Sequence, residues 1–405
     1  MTAAPRTENQ FAIFSELLRW ILPAARREVR FPALLQQRLA RDRRFGSRDR
    51  RIYRALAYSA IRFLPWLEAV PPAQRPRLAL WLAADETALA AVRPAALDDW
   101  PPVPASLAEK AAVLAQRFGG DFSPAALLPD WFAVETHGTV VPESLFSRPP
   151  LWIRLQAVDT AGVFAGLRDA GIAYEASPLR VDALALRTEI DATATDLFRA
   201  GAFEVQDLGS QLILALARPD PGTHWLDACA GAGGKTLQLA RLVGPAGHVD
   251  ATDLRTEALT ELGARAARAG LKNVAVLSSV DSSASYDGVL VDAPCSGSGT
   301  WRRHPHLKWQ TSAADLRRQA ERQFALLARH AGQVRAGGLL VYATCSLART
   351  ENAAVVERFL GAHPNFQCVP PTDPLGCATG EFGTSIHPHV HNTDGFFVST
   401  LTRTV

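Results

Sequence analysis

Apolar residues recur at helical spacing through the first third of the chain, at Phe11, Phe14, Leu17, Leu18 and Ile21 and again at Ile52, Leu56, Ala57, Ala60 and Ile61. No alternating strand pattern interrupts residues 9–130, and Pro23, Pro32 and Pro71-Pro72 supply helix boundaries, so the pattern predicts an all-helical module. Proline-rich punctuation at 100–104 and 142–150 precedes a change of period. The run LWIRLQ reads as a strand, 160–170 as a helix and 184–188 as a short strand, outlining a small α+β unit. After a lead-in over 198–214, strands are expected at 225–227, 248–253, 274–278, 288–292 and 339–344. Helices are expected between them, including a long one over 312–335 and another over 349–360. That alternation predicts a doubly wound, parallel α/β sheet with ligands at the strand carboxyl ends, and 395–403 closes it as a last strand. The expected domains are 1–142, 143–215 and 216–405, with no internal repeat.

Composition narrows the class. With 405 residues and 48% hydrophobic content the chain can build two or three cores. It lacks a run of ~18 apolar residues and a charged-then-apolar leader, which predicts a soluble, cytoplasmic protein with no membrane partner. The five cysteines form no CxxC pair, so neither a zinc knuckle nor a disulfide framework is expected. Net charge is only +3, but residues 1–54 hold 13 Arg, no Lys and 5 acids. Within them the run RDRRFGSRDRRIYR carries Arg43, Arg44, Arg48, Arg50 and Arg51 with Phe45 and Tyr53 interleaved, a mixture suited to phosphate contact and base stacking in RNA. The same run also suits a solvated helix face.

The candidate chemistry centres on THWLDACAGAGGKT, residues 223–236, where an apolar strand ends in Asp227 and opens into a glycine-rich turn before a helix. A P-loop would need glycine where Cys229 stands, and a GxGxxG fingerprint would need glycine at Thr236. What fits is the first loop of an S-adenosylmethionine-dependent methyltransferase, although glycine-rich turns also serve the backbone alone. Asp253, ending the next strand, suits a nucleoside ribose. Asp281, after the third, suits an adenine edge or a simple cap. The fourth and fifth strands deliver Asp292 with Cys295, and Cys345, to one crevice. Two thiols and an acid there suit methylation of a pyrimidine C5, which becomes nucleophilic only when a thiolate adds to C6. Position alone does not say which thiol attacks.

The segments WLDACAGAGGKT, VDAPCSGSGTWRRHPHLKW, VYATCSLARTEN and GAFEVQDLGSQL resemble, in order and spacing, the motifs of the Nol/Nop/Sun family of RNA cytosine-5 methyltransferases. The N-terminal RDRRFGSRDRRIYRALAYSAIR resembles the NusB-like RNA-binding domain of that family's bacterial Sun-like branch, which acts on 16S ribosomal RNA. The resemblance implies a Rossmann-like class I methyltransferase domain preceded by an all-α NusB-like domain and a small α+β (RRM-like) unit. It implies Cys345 as nucleophile, Cys295 in product release, and Asp292 and Lys235 in the catalytic set. Cofactor contacts would come from Cys229, Ala230, Gly231, Ala232, Gly233, Gly234 and Lys235 with Asp253, Asp281 and Asp292. Arg302, Arg303 and Lys308 would join the N-terminal arginines on RNA. Ala232 stands where the family favours proline, Gly231 where it favours alanine, and His306 where it favours an acid. The implied partner is 16S ribosomal RNA or the small-subunit particle, met by a monomer. Transfer RNA as substrate, or a non-catalytic assembly factor, is the alternative. His387, His389 and His391 would share one face of an extended strand but lack a completing ligand, so no metal site is expected.

Overall fold

The computed structural model describes residues 3–84, 86–90, 92, 96–157 and 159–404. The chain divides into two compact units, one of Met1–Arg148 with Thr300–Ser312 and the other of Pro149–Gly299 with Ala313–Val405.

The first unit is helical, built on Ala3–Arg27, Phe31–Arg41, Ser47–Arg62, Arg75–Leu82 and Leu107–Phe118. Phe14, Leu18, Ile21, Tyr53, Leu56, Ile61, Trp66 and Trp81 fill its core. Pro32 lies in the first turn of its helix, where a missing N–H costs nothing, whereas Pro23 sits inside the first helix instead of ending it. Ser106 starts Leu107–Phe118 with a capping box, its hydroxyl accepting from the Glu109 N–H at 3.2 Å.

Residues 300–312, which the sequence pattern leaves with the C-terminal domain, belong to this helical unit. They close the C-terminus of Ser47–Arg62, where carbonyls lack helical partners. Trp309 Nε1 donates to Ile61 O at 2.7 Å, Lys308 Nζ to Arg62 O at 2.9 Å, and Arg62 Nη2 returns a bond to Arg302 O at 3.0 Å. Lys308 also lies over the rings of Phe146 and Trp309, at 4.3 and 4.6 Å.

The second unit holds two sheets. In the smaller, β1 (Leu151–Leu155), β2 (Tyr174–Ala176), β3 (Ala183–Leu186) and β4 (Phe203–Val205) pair antiparallel in the order β2-β3-β1-β4. Ile153, Leu155, Leu184 and Phe203 pack there with Val163 and Leu167 of helix Thr160–Asp169.

The main sheet comprises β5 (His224–Asp227), β6 (His248–Ala251), β7 (Val274–Val276), β8 (Tyr286–Asp292), β9 (Val334–Thr344), β10 (Phe366–Val369), β11 (Ala378–Gly380), β12 (Gly383–Ile386) and β13 (Phe396–Arg403). Its order is β11-β12-β13-β9-β8-β5-β6-β7, with β10 on β13. Strands β5 to β9 pair parallel, and β13 lies antiparallel on β9. Successive residues point to opposite faces, and both faces are covered. Trp225, Leu290 and Val341 pack with helices Leu208–Ala217 and Gly234–Val243, while Leu226, Val289, Val291, Leu340 and Tyr342 pack with Ala313–Ala331 and Ala353–Ala362. This is the expected doubly wound architecture. Strands β8 and β9 start earlier than their apolar runs. The histidine segment departs from expectation: Pro388–His391 is a helical turn, with His387 before it and the His387 and His389 rings stacked at 5.4 Å.

Replacing Lys308 with alanine leaves buried carbonyl and ring partners exposed to nothing. Lys308→Ala is expected to lower unfolding stability by about 1–3 kcal/mol in denaturant melts. Burial, with the Arg62 charge, pulls the Lys308 amine well below its ordinary pKa, and a buried group releases no counterions, so the salt dependence of RNA affinity should stay unchanged. A shallower salt slope in the variant would return this side chain to an RNA surface.

Candidate active site

The site begins where β5 ends. Asp227 is 1% exposed and accepts from Thr236 Oγ1 at 2.7 Å. Its Oδ1 is buried without a well-formed partner, the nearby Cys229 N–H serving the carboxylate only in part. Burial pushes this acid up to about 7, against the Thr236 hydrogen bond and with help from the Asp292 charge. The loop turns through positive φ at Gly231 (53°) and Gly233 (90°). A Cβ at Gly233 would lie 2.8 Å from Leu262, whereas one at Gly234 would meet open space. Cys229 and Ala230 pack below the loop, and burial pushes the Cys229 thiol up. The Ala232 carbonyl accepts from Arg265 Nη1 at 2.7 Å.

Asp253, just after β6, accepts the Gly231 N–H at 2.9 Å and is clasped by Arg255 through its backbone N–H and guanidinium. Burial works to raise its pKa, but the Arg255 and Gly231 hydrogen bonds outweigh it and hold the carboxyl below its ordinary range. The Arg255 side chain is 69% exposed, so it can yield to a ligand. Asp281 comes next along the chain. It is exposed in the loop after β7 and accepts the Ser283 N–H and hydroxyl, at 2.9 and 2.8 Å, which lower its pKa.

The reactive groups meet at the ends of β8 and β9. Register pairs Asp292 with Ala343, two residues short of Cys345. Cys295 Sγ lies 3.3 Å from Cys345 Sγ, both thiols half-buried. The hydrogen bond to Cys345, followed by burial, raises the Cys295 pKa. Lys235, from the first turn of Gly234–Val243, donates to Asp292 Oδ2 at 2.7 Å. Its burial favours losing the proton, yet the charge and hydrogen bond of Asp292 and the neighbouring Cys345 outweigh it, and the pKa rises. A fixed ammonium therefore stands beside the thiol pair.

Residues outside the sequence expectation hold these loops in place. Glu351, fully buried, accepts the Ser296 N–H at 2.8 Å, the Ser346 hydroxyl at 2.6 Å and Gln323 Nε2 at 3.2 Å. One side chain thus ties the residues that follow both cysteines. Gly299 N donates to Cys345 O at 2.9 Å, in a space where a Cβ would lie 2.0 Å from Gly395 O. Glu204, 1% exposed in β4, pairs with Arg265 at 2.8 Å and with Arg268, linking the smaller sheet to the Ala232 carbonyl. Both acids lie inside segments that carry the family resemblance, Glu351 in VYATCSLARTEN and Glu204 in GAFEVQDLGSQL, but no spacing in the sequence names their partners.

Two expectations about RNA contact change. Arg302 and Lys308 are each 3% exposed; Arg302 donates to Ser147 O, and Lys308 closes a helix end. Arg303 is half-buried. Phe45 and Tyr53 are buried with ring centroids 4.8 Å apart, so they pack the helical core and offer no stacking face. Arg43, Arg44, Arg48 and Arg51 are exposed, while Arg50 is half-buried and donates to Ala40 O.

A family model described as 16S rRNA methyltransferase RsmB/F matches residues 213–402. The chain is 32% identical over 296 residues to a probable ribosomal RNA small subunit methyltransferase B of Synechocystis sp., covering 68% of this chain and 66% of that protein. It is 31% identical over 299 residues to ribosomal RNA small subunit methyltransferase B of Salmonella arizonae, with coverage of 68% and 66%. The aligned segment therefore spans just under two thirds of these relatives' length. Among solved structures, that of PH0851 superposes with a TM-score of 0.71 at 23% identity, covering 95% of this chain and 97% of the other. That of a methyltransferase homolog protein from Pyrococcus horikoshii gives 0.57 at 25% identity, covering 65% and 89%. The first of these likenesses, under 25% identity, concerns the fold alone.

A raised carboxyl pKa favours the folded state while the group is protonated. For Asp227 that stability is complete below the unfolded value and is lost as pH rises through about 7. In ligand-free protein, Asp227→Asn should therefore gain thermal stability relative to the wild type as pH rises from ~4 to about 7, and the difference should level off above that. A difference in melting temperature that does not move with pH would contradict the assignment.

Proposed function

We propose that this chain, which belongs to the RsmB/F methyltransferase family, forms 5-methylcytosine in RNA, with small-subunit (16S) ribosomal RNA as the substrate. The observation that carries the proposal is the convergence of two thiols 3.3 Å apart with a carboxylate–ammonium pair at neighbouring strand ends. Methylation of an amine or hydroxyl has no use for a second thiol.

The residues at the β5 end fit S-adenosylmethionine. Asp227 offers a buried acceptor, Gly231 and Gly233 keep the loop close to the backbone, and the space above Gly234 is open. We assign the cofactor to the loop from Cys229 to Lys235, with Asp253 on the ribose, Asp281 at the adenine edge and Asp292 near the methyl-bearing end. When bound, it supplies an electrophilic methyl group to C5 of the base.

The chain's own residues do the rest. Cys345, as thiolate, bonds to C6 of the cytosine, and the C5–C6 π electrons move onto C5, which becomes nucleophilic. Asp292, placed at N3, supports the protonation that accompanies addition, and Lys235 holds the carboxylate in place while its positive charge favours the thiolate. After methyl transfer the C5 proton leaves to solvent, its electron pair restores the C5–C6 double bond, and the C6–S pair returns to Cys345 as thiolate. Cys295, 3.3 Å from Cys345, is the acid–base partner of that release. The base must leave its stack to reach the crevice. The exposed Arg43, Arg44, Arg48 and Arg51 supply phosphate contacts in the helical unit.

Cys345→Ala should abolish 5-methylcytidine formation. Cys295→Ala should accumulate a protein–RNA adduct that survives a denaturing gel. Full methylation by the first variant would remove the covalent mechanism, and the absence of any adduct with the second would remove the release role of Cys295.

A further inference from the structure

The parallel register that builds the cofactor edge of the sheet also builds a second cluster at the opposite ends of β5 and β6. His224 and His248, the first residues of the two strands, are register partners, and Asp250 lies two positions further along β6, on the same face as His248. His224 Nε2 lies 3.0 Å from Asp250 Oδ2, and His248 Nε2 lies 3.2 Å from Asp250 Oδ1. One ligand atom from each residue falls within 4.8 Å of the others. Tyr286 OH donates to Asp250 Oδ2 at 3.1 Å, and the Asp287 carboxylate accepts the His224 backbone N–H at 2.7 Å.

We propose that His224, His248 and Asp250 bind a divalent ion of the late first transition series, zinc in chemical class. Two imidazole nitrogens and one carboxylate oxygen are the donor set such ions favour, at ~2.0–2.2 Å each. Each imidazole now directs Nε2 at the carboxylate; to ligate, it carries its proton on Nδ1, a change of tautomer that leaves the ring neutral. Both histidine side chains are 44% exposed, which leaves room for water to complete the coordination, while Asp250 is 14% exposed and fixed. Tyr286 supplies the hydrogen bond that orients a ligating carboxylate. The ion would join the beginnings of β5 and β6, away from the strand ends that carry Asp227 and Cys345. A hydrogen-bonded His–Asp–His group with no ion is the rival reading. It accounts for the same separations through two His–Asp hydrogen bonds, so ion uptake decides between the two readings.

The test is titration of the full-length, metal-stripped protein with Co2+, followed by absorption. The Cys295–Cys345 pair and the Cys377–His391 pair, with 3.3 and 3.7 Å separations, could also take the ion. Thiolate ligands announce themselves by near-ultraviolet charge transfer, which a nitrogen and oxygen site lacks. The expected result is one equivalent bound with visible d–d bands and no thiolate transition. Affinity should fall at least ~10-fold in His224→Gln/His248→Gln. His248→Ala, at a half-exposed side chain, provides the same reading should the double variant fold poorly. No uptake beyond that of the variants, or a spectrum dominated by thiolate bands, would overturn the site.

Discussion

The parallel pairing of β8 with β9 governs the chemistry of this molecule. It sets Asp292 opposite Ala343, and from that register Cys295 and Cys345 come to 3.3 Å from loops fifty positions apart in sequence. A slip of one residue would turn every side chain of a strand to the other face, moving Val289, Val291, Leu340 and Tyr342 out of the packed layer. Burial of both sheet faces thus fixes the register, and the register fixes the thiols. The same logic on β5 and β6 aligns Asp227 at one end and the two histidines at the other.

Placing reactive groups is not enough; their loops must be held without consuming the groups themselves. Glu351 does this for both cysteine loops through neighbouring serines, and Arg265 does it for the glycine-rich loop through the Ala232 carbonyl. These anchors act on backbone and hydroxyl groups, so the thiols, Lys235 and Asp292 stay available to one another. Glu204 extends the support to the smaller sheet, which is therefore part of the scaffold of the cofactor loop in the second unit.

Much of this was legible in the chain. Apolar runs ending in an acid or a cysteine marked the parallel strands because such strands are buried on both faces, and the spacing of DAPCSGSGT and ATCS carried the family resemblance. What escaped reading was set by tertiary context. Residues 300–312, rich in Arg, His and Lys, read as a surface, yet they close a helix end, so Arg302 and Lys308 are buried. Phe45 and Tyr53 read as stacking aromatics beside arginines because helical periodicity does not say which face meets the core. Strands β10 to β12 are only three or four residues long, too short for a period-2 pattern to stand out. Glu204 with Arg265, and His224 with His248 and Asp250, are partners only through strand register or packing, which no local pattern records.

The most direct test of the proposed reaction is transfer of a labelled methyl group from S-adenosylmethionine to unmodified 16S RNA, followed by digestion to nucleosides and chromatography. The account predicts label in 5-methylcytidine. Label confined to any other nucleoside, or no transfer to free or particle-bound RNA by protein that binds the cofactor, would contradict it.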